Sequence, residues 1–379
     1  LSKHTDHTPT ILIGRDTRIS GTLIESAMTA GFLSYGANVK ILGVIPTPGV
    51  AYLTKKLKAD ASVVISASHN TYEFNGVKYF SNKGMKIPDE LEEEIEEIMD
   101  SDKLPTLSAI NDKIGVSEIR TDLLDEYVYF FRKNFEEDFD NLDTSNFVVA
   151  IDTANGATSV VAEKVFTALG IKHYILNNTP NGTNINDNCG STHLDVLKKY
   201  VVENKCNLGI AYDGDGDRCL AVDENGNEID GDILLAIISN YMKEKGTLKK
   251  DTLVATVMSN LGLKKYAQET GINFEETKVG DRYVLEKMLQ EGYNLGGEQS
   301  GHIIMLDYNP TGDGILTSLM LIKIMLEKKM SASEASKIIK IYPQVLVNAK
   351  VNNNRKHDYE RDAEIKQEIE KLEKEFSGN

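Results

Sequence analysis

Short apolar runs alternate with stretches patterned for helices along nearly the whole chain, and that alternation restricts the fold more than any other property. Thr10–Ile13, Val39–Leu42 and Ala61–Ile65 read as strands, with helices at Leu23–Ser34 and Val50–Leu57 between them. Pro88-Asp89 opens a further helix with Leu91, Ile95 and Ile98 on one face and an acidic run on its solvated side. A second round follows a helix at Leu123–Phe135: strand Phe147–Ile151, helix Ala157–Leu169, strand Lys172–Leu176, helix His193–Val202 and strand Leu208–Tyr212. The third runs through helix Asp232–Met242, strand Thr252–Val257, helices Leu261–Glu269 and Tyr283–Leu289, strand Ile303–Leu306 and helix Ile315–Leu326. Strands separated by helices of this length pair in parallel through right-handed crossovers. The expectation is an α/β protein: three similar mixed-sheet α/β domains in series, at 1–120, 121–229 and 230–340, plus the start of a fourth, incomplete α+β domain at 341–379. That last stretch offers a strand at Val345–Lys350 and a charged helix with Ile365, Ile369 and Leu372 on one face, too little to bury a core of its own.

Composition excludes several function classes. With 42 Lys+Arg against 58 Asp+Glu and a net charge of −16, a broad basic face for nucleic acid or anionic lipid is not expected. A phosphorylated small substrate needs only a local cluster of cations. The cysteines Cys189, Cys206 and Cys219 are odd in number and form no C-x-x-C pair, which argues against a disulfide framework or a cysteine-held zinc. No apolar run reaches the ~18–20 residues of a membrane span, and Leu1-Ser2-Lys3-His4 lacks a signal-peptide pattern. A cytoplasmic protein, with neither membrane nor nucleic acid as partner, is the expectation.

The chemistry concentrates in the loops. Asp213-Gly214-Asp215-Gly216-Asp217-Arg218 lies between the strands Leu208–Tyr212 and Cys219–Val222. Carboxylates at alternate positions with glycine between them can turn three oxygens onto one hard cation. An EF-hand loop is the competing reading, since Glu224 stands at its twelfth position. Against it, position six is Arg218 and the flanks are strand-like. A solvated acidic turn is the remaining alternative, and an open Mg²⁺ site awaiting one more oxygen is the favoured reading. Ser68, in Ser66-Ala67-Ser68-His69-Asn70 just past a buried-looking strand, is the candidate for that oxygen. Its neighbour His69 makes no Ser–His hydrolase without a G-x-S-x-G elbow. Lys78, in Asn75-Gly76-Val77-Lys78, falls within reach of the same loop, and nearby cations could lower its pKa enough for it to act as a base; a surface lysine on a hairpin is the plain alternative. Gly296-Gly297-Glu298-Gln299-Ser300-Gly301-His302 suits hydrogen bonding to sugar hydroxyl or amino groups, or is a strand-to-strand turn with incidental polar residues. Lys278-Val279-Gly280-Asp281-Arg282 and Gly14-Arg15-Asp16-Thr17-Arg18-Ile19-Ser20-Gly21 each precede a helix in a setting that suits phosphate. Neither a nucleotide P-loop nor a G-x-G-x-x-G after a strand is present.

Taken in order, G-R-D-T-R-I-S-G, I-S-A-S-H-N, N-G-V-K, D-G-D-G-D-R-C-L-A-V-D, K-V-G-D-R-Y-V-L-E and G-G-E-Q-S-G-H-I-I resemble the α-D-phosphohexomutase superfamily over nearly the whole chain. Gln299, where mannose and glucose relatives typically carry methionine, points to the glucosamine branch. The resemblance implies an isomerase moving a phosphoryl group between glucosamine 6-phosphate and glucosamine 1-phosphate through a bound 1,6-bisphosphate, a supply step for UDP-N-acetylglucosamine. It implies Ser68 as the phosphoserine and as a metal ligand beside Asp213, Asp215 and Asp217, which hold Mg²⁺. Lys78 is implied as general acid/base, His302 as a second proton-transfer residue, Glu298 and Ser300 as sugar readers, and Arg218 and Lys278 as further substrate contacts. The partners implied are the phosphorylated hexosamine and its bisphosphate, and a homodimer is an allowed assembly. A phosphomannomutase/phosphoglucomutase and a non-catalytic sugar-phosphate or metal-binding protein are the alternatives.

Two departures from the family pattern bear on activity. Relatives carry a T-D-G-[I/V]-R-G loop ahead of the position where this chain starts and an R-x-S-G-T-E-P phosphate clamp beyond the position where it stops. The expectation is a chain holding the phosphoserine and metal centre without the complete clamp. Thr71 stands where relatives usually have proline, which predicts a looser turn after Ser68.

Overall fold

The three rounds of alternation become three separate sheets. A computed structural model describes residues 6–100, 109, 111–345, 347, 350–352, 355 and 358–376, which fall into two compact units, Leu1–Ile341 and Tyr342–Asn379. The first sheet contains β1 (Thr10–Arg15), β2 (Asn38–Val44), β3 (Ala61–Ile65), β4 (Val77–Ser81) and β5 (Ser117–Ile119) in the order β4-β3-β1-β2-β5. The second contains β6 (Val148–Asp152), β7 (Lys172–Leu176), β8 (Leu208–Tyr212), β9 (Cys219–Asp223) and β10 (Glu228–Ile229) in the order β10-β9-β8-β6-β7. The third contains β11 (Thr252–Thr256), β12 (Asn273–Thr277), β13 (Leu295–Gly297) and β14 (Ile303–Met305) in the order β12-β11-β13-β14.

Each sheet has a parallel core and an antiparallel edge. β1 pairs in parallel with β2 and β3, β6 with β7 and β8, and β11 with β12 and β13. The antiparallel pairs β3–β4, β8–β9 and β13–β14 make the sheets mixed. These three pairs position the chemistry, because the loops joining their strands are 66–76, 213–218 and 298–302. All three leave the carboxyl ends of parallel strands, where open α/β sheets place their sites. Sequence reading passes over β4, β5, β10, β12 and β13. They are short, or as in Asn-Phe-Glu-Glu-Thr of β12 too polar to stand out, and their neighbours rather than their own pattern hold them extended.

Two helices bind the second and third sheets to one another. Leu124–Asp140 buries Tyr127, Phe131 and Phe135, and Gly314–Lys328 buries Leu316, Leu319 and Ile322 in the same core as Val149, Ile151, Leu253 and Ile303. Each such side chain contributes about 1.5–3 kcal/mol by leaving water. The helix expected at Ala157–Leu169 divides into a 3₁₀ turn, Ala157–Val160, and a helix, Ala162–Ala168. The Ala157 N–H donates to Gly214 O at 2.7 Å, so the first turn is tied to the Asp213–Asp217 loop instead of extending the helix. All three cysteines are buried and unpaired. Among the described residues no helix is long and apolar enough to cross a membrane.

In the second unit, Ile365, Ile369 and Leu372 lie along the helix Ala363–Phe376, as the spacing predicts. The strand expected at Val345–Lys350 includes residues 346, 348 and 349, which lie outside those described.

Asp313 caps the helix Gly314–Lys328. Its Oδ1 accepts from Leu316 N (3.0 Å), and its Oδ2 accepts from Tyr127 OH (2.8 Å) and Asn309 Nδ2 (3.2 Å). Burial raises its pKa from 3.8 to about 6 against those hydrogen bonds. A raised folded-state pKa gives stability that is fully present below the unfolded value and lost as pH rises through the folded one. Asp313→Asn removes this titration. Unfolding by denaturant should therefore show the variant gaining roughly 2–3 kcal/mol on the parent between about pH 4 and pH 7; a pH-independent difference would show an ordinary carboxyl.

Candidate active site

The Asp213–Asp217 loop leaves β8 fully buried, and Asp213, Asp215 and Asp217 each offer a carboxylate oxygen within 4.8 Å of the others. Glycine is required between them for two reasons. Gly216 has φ +72°. At Gly214, a Cβ would sit 2.5 Å from Ser68 O and 2.6 Å from Asn186 Nδ2. The metal-type loop and the serine loop are thus packed backbone to backbone.

The loop after β3 brings Ser68 to this cluster. Its hydroxyl donates to Asp213 Oδ2 at 2.7 Å, and its backbone is left-handed, with φ +51°. A non-glycine residue held there costs on the order of 1–3 kcal/mol and persists only where its surroundings impose it. Lys78, on β4 beside the same loop, reaches in from the side: Nζ is 2.6 Å from Asp215 Oδ2 and 3.5 Å from Asp217 Oδ2. A Lys78 pKa lowered by neighbouring cations is the expectation from sequence. Burial does pull in that direction, but the Asp215 and Asp217 carboxylates outweigh it and the pKa rises well above the ordinary lysine value. Lys78 is a buried cation here because its neighbours are acids.

The three acids respond unequally. Burial first, then Asp217 and Asp215, drive the Asp213 pKa well up. Asp217 is held well below the usual carboxylate range; burial opposes this, while the Lys78 charge and the hydrogen bond from His302 overcome it. His302, on β13–β14's return, is only 3% exposed. Its Nδ1 lies 3.6 Å from Asp217 Oδ2 and its Nε2 lies 3.6 Å from Asp281 Oδ2. The Gly312 N–H donates to His302 Nε2 at 3.1 Å, which places the ring proton on Nδ1, facing Asp217. Burial lowers the His302 pKa and the two acids raise it more, but an imidazolium would set Nε2–H against the Gly312 N–H, so the geometry favours the neutral ring. His302 therefore stands almost wholly buried between Asp217 and Asp281.

Other sequence candidates spread around this centre. Arg218 N donates to Asp213 Oδ1 (3.1 Å), and Arg218 Nη1 donates to His69 Nδ1 (3.1 Å). Burial, and then Arg218, lower the His69 pKa. Glu298 Oε1 accepts from Gly280 N at 3.1 Å, which joins the β13–β14 turn to the Lys278–Arg282 segment. Ser300 is half-buried in that turn, while Lys278 is exposed, with Nζ 6.0 Å from the Tyr283 ring centroid. Gln299 Nε2 donates to Asp230 Oδ2 at 3.2 Å, so this residue braces the start of the helix Gly231–Glu244.

Several residues around the site escaped the sequence reading as individuals. Thr47 donates its hydroxyl to Asp215 Oδ2, and its N–H donates to Asp215 O at 2.9 Å. Asn186 Nδ2 donates to Ser68 O (2.9 Å) and Asn70 O (2.8 Å). Arg18, Asp16 and Ser66 form a buried group under the serine loop. Arg18 and Asp16 lie in a segment singled out for phosphate, but both point into the protein. Thr71, where a looser turn was expected, has its carbonyl held by Arg18 Nη1.

The donor set fits a divalent cation. Asp215 Oδ1 and Asp217 Oδ1 are buried with no hydrogen-bond partner, although such atoms are normally paired. Three hard oxygens from one loop, with the Ser68 hydroxyl beside them, meet what such an ion requires while leaving room for a ligand.

Comparison with known proteins agrees along the chain. Models for phosphoglucomutase/phosphomannomutase alpha/beta/alpha domains I, II and III match residues 1–106, 125–226 and 230–342. A phosphoglucosamine mutase of Clostridium botulinum (strain Alaska E43 / Type E3) is 51% identical over 372 residues, covering 98% of this chain and 82% of that protein. One from Ruminiclostridium cellulolyticum is 50% identical over 378 residues, covering 100% of this chain and 83% of that protein. Among solved structures, a phosphoglucomutase/phosphomannomutase family protein from Burkholderia thailandensis superposes with a TM-score of 0.74 at 22% identity, over 89% of this chain and 72% of that one. Aspergillus fumigatus N-acetylphosphoglucosamine mutase, solved with GlcNAc-6P and magnesium, gives 0.63 at 15% identity, over 92% of this chain and 69% of that one. At these identities the structures speak to the fold.

Asp215→Asn removes one of three crowded charges but also a partner of Lys78. Relief and loss should nearly cancel, so the metal-free melting temperature should move by only a few degrees, while turnover falls by about 100-fold or more. A large drop in metal-free melting temperature would count against this site.

Proposed function

The chain belongs to the phosphoglucomutase/phosphomannomutase family, and from that premise we infer that it is a phosphoglucosamine mutase, interconverting glucosamine 6-phosphate and glucosamine 1-phosphate. Relatives bearing that name share about half of its residues over nearly its full length. The observation that carries the chemistry is the Ser68 hydroxyl, half-buried and 2.7 Å from the Asp213 carboxylate at the edge of a buried three-acid cluster.

Ser68 is the phosphoryl carrier in this reading. When phosphorylated, its phosphorus is attacked by the sugar O1 as the bond to Oγ breaks; the O1 proton leaves and Oγ ends as a hydroxyl. The resulting 1,6-bisphosphate turns over in the site, and Ser68 Oγ attacks the phosphorus at position 6 while O6 gains a proton. One phosphoryl group has moved and the protons balance. Asp213, Asp215 and Asp217, with an oxygen of the phosphoserine, would hold Mg²⁺, which spreads the charge of the transferring group. Lys78, kept cationic by Asp215 and Asp217, supports the same charge; as the general acid/base of this reading it would give a proton to Oγ as the bond to phosphorus breaks and take it back when Oγ attacks. His302 acts on this centre through Asp217. Glu298 and Ser300 are assigned to the sugar, with Arg218 and Lys278 as contacts to its hydroxyl and phosphate oxygens. The same reading assigns the chain to the cytoplasm, where a reducing medium suits its three unpaired cysteines.

A phosphomannomutase/phosphoglucomutase is the second reading. Gln299, which pointed to the glucosamine branch, turns to Asp230, so the substrate assignment draws its support from the relatives. Turnover of glucosamine, glucose and mannose 6-phosphates should favour glucosamine by about 10-fold or more in kcat/KM; glucosamine as the poorest substrate would overturn the assignment. Intact mass after incubation with a hexose 1,6-bisphosphate should show one phosphoryl group on the parent and none on Ser68→Ala. A parent that takes up no phosphate would leave a non-catalytic sugar-phosphate-binding protein as the better account.

A further inference from the structure

Arg18 is among the largest fully buried side chains in the protein, and every one of its five N–H donors is used. Nε donates to Asp16 Oδ2 (2.8 Å). Nη1 donates to Thr71 O and to Phe74 O (2.9 Å), and Nη2 donates to Ser68 O (3.0 Å) and Asn70 O (2.8 Å). One guanidinium therefore collects four carbonyls from a loop that has no regular secondary structure. We propose that Arg18 is the positioning residue for phosphoryl transfer at Ser68: with Asp16 and Ser66 beneath it, it imposes the left-handed backbone that presents the serine oxygen to the acid cluster. The proposal rests on the reading of Ser68 as phosphoryl carrier.

The connections converge on the strained residue. Asp16 Oδ1 accepts from Arg18 N (3.0 Å), and Asp16 Oδ2 accepts from Ser66 Oγ (2.6 Å) as well as from Arg18 Nε. Ser66 Oγ in turn accepts from Ser68 N at 2.9 Å. Both the N–H and the C=O of Ser68 are thus led back to the Asp16–Arg18 pair. With those two groups fixed on the inner side, the side chain is left to point outward to Asp213. Asn186 holds Ser68 O and Asn70 O from the second sheet's loops, so the serine loop is gripped from both sides. A buried ion pair of this kind gives little net stability, because desolvation offsets its Coulomb gain. Its value here lies in geometry. A planar fork with five donors meets four carbonyls at once, which an ammonium with three donors cannot do.

The test uses the whole protein with glucosamine 6-phosphate and a hexose 1,6-bisphosphate. Arg18→Lys tests the fork, and the paired change Asp16→Asn/Arg18→Gln removes both charges so that neither is left alone. The rate of Ser68 phosphorylation and kcat should fall by about 30-fold or more in each, with KM within about twofold. Mn²⁺ affinity, read by calorimetry, should stay within about threefold, since the carboxylates are untouched. Ser66→Ala removes only the hydroxyl under Ser68 N and serves if the buried pair proves necessary for folding. It should slow phosphorylation by about fivefold with a melting temperature within a few degrees of the parent. Full rate per folded molecule in Arg18→Lys or Ser66→Ala, or a rate loss that only follows lost Mn²⁺ affinity, would overturn the proposal. A parent that fails to phosphorylate Ser68 would instead overturn the reading beneath it.

Discussion

Three carboxylates buried with oxygens within 4.8 Å of one another are the constraint on which the rest of this structure depends. At that separation each ionised pair repels by roughly 3 kcal/mol even at an effective dielectric of about 20. Each sheet contributes to the answer. The first sends Lys78, the second keeps Arg218 in the same loop as the acids, and the third places His302 beside Asp217. The unequal response of Asp213 and Asp217 follows, because Lys78 and His302 favour one end of the cluster.

The same centre couples the sheets mechanically. Gly214 passes so close to Ser68 O and Asn186 Nδ2 that no side chain fits between the two loops. His302 lies between Asp217 and Asp281, and Asp281 pairs with Lys86, whose backbone bridges to Phe80 of β4. Asp313 ties the capped helix Gly314–Lys328 to Tyr127 of the helix Leu124–Asp140. Packing of apolar faces holds the layers, and these buried polar links set their register.

How much of this could be read from the residues depends on whether the signal was local. The alternation of strands and helices is local, and nearly every long element appears where its apolar period puts it. The D-G-D-G-D spacing likewise carries its geometry in itself, and its three oxygens do converge. Taken by itself the Asn75–Lys78 segment allows a surface lysine on a hairpin as well as a site residue; Lys78 does lie on a hairpin, but Asp215 lies 137 positions away, and only the fold brings them together. Its raised pKa was misjudged for the same reason. Arg18 and Asp16 were seen as part of a phosphate-friendly turn because their inward direction is decided by carbonyls some 50 residues on. Gln299 was chosen for its identity, and its hydrogen bond to Asp230 could not be seen along the chain.

Ordered loops around a crowded, partly unpartnered acid cluster make sense if a divalent cation completes it. Crystals of the whole protein soaked in Mn²⁺ test that directly by anomalous diffraction. The account predicts one strong peak enclosed by carboxylate oxygens of Asp213, Asp215 and Asp217, on the side facing Ser68. Well-ordered crystals with no peak there at millimolar Mn²⁺, or with Lys78 still filling the space between Asp215 and Asp217, would contradict it.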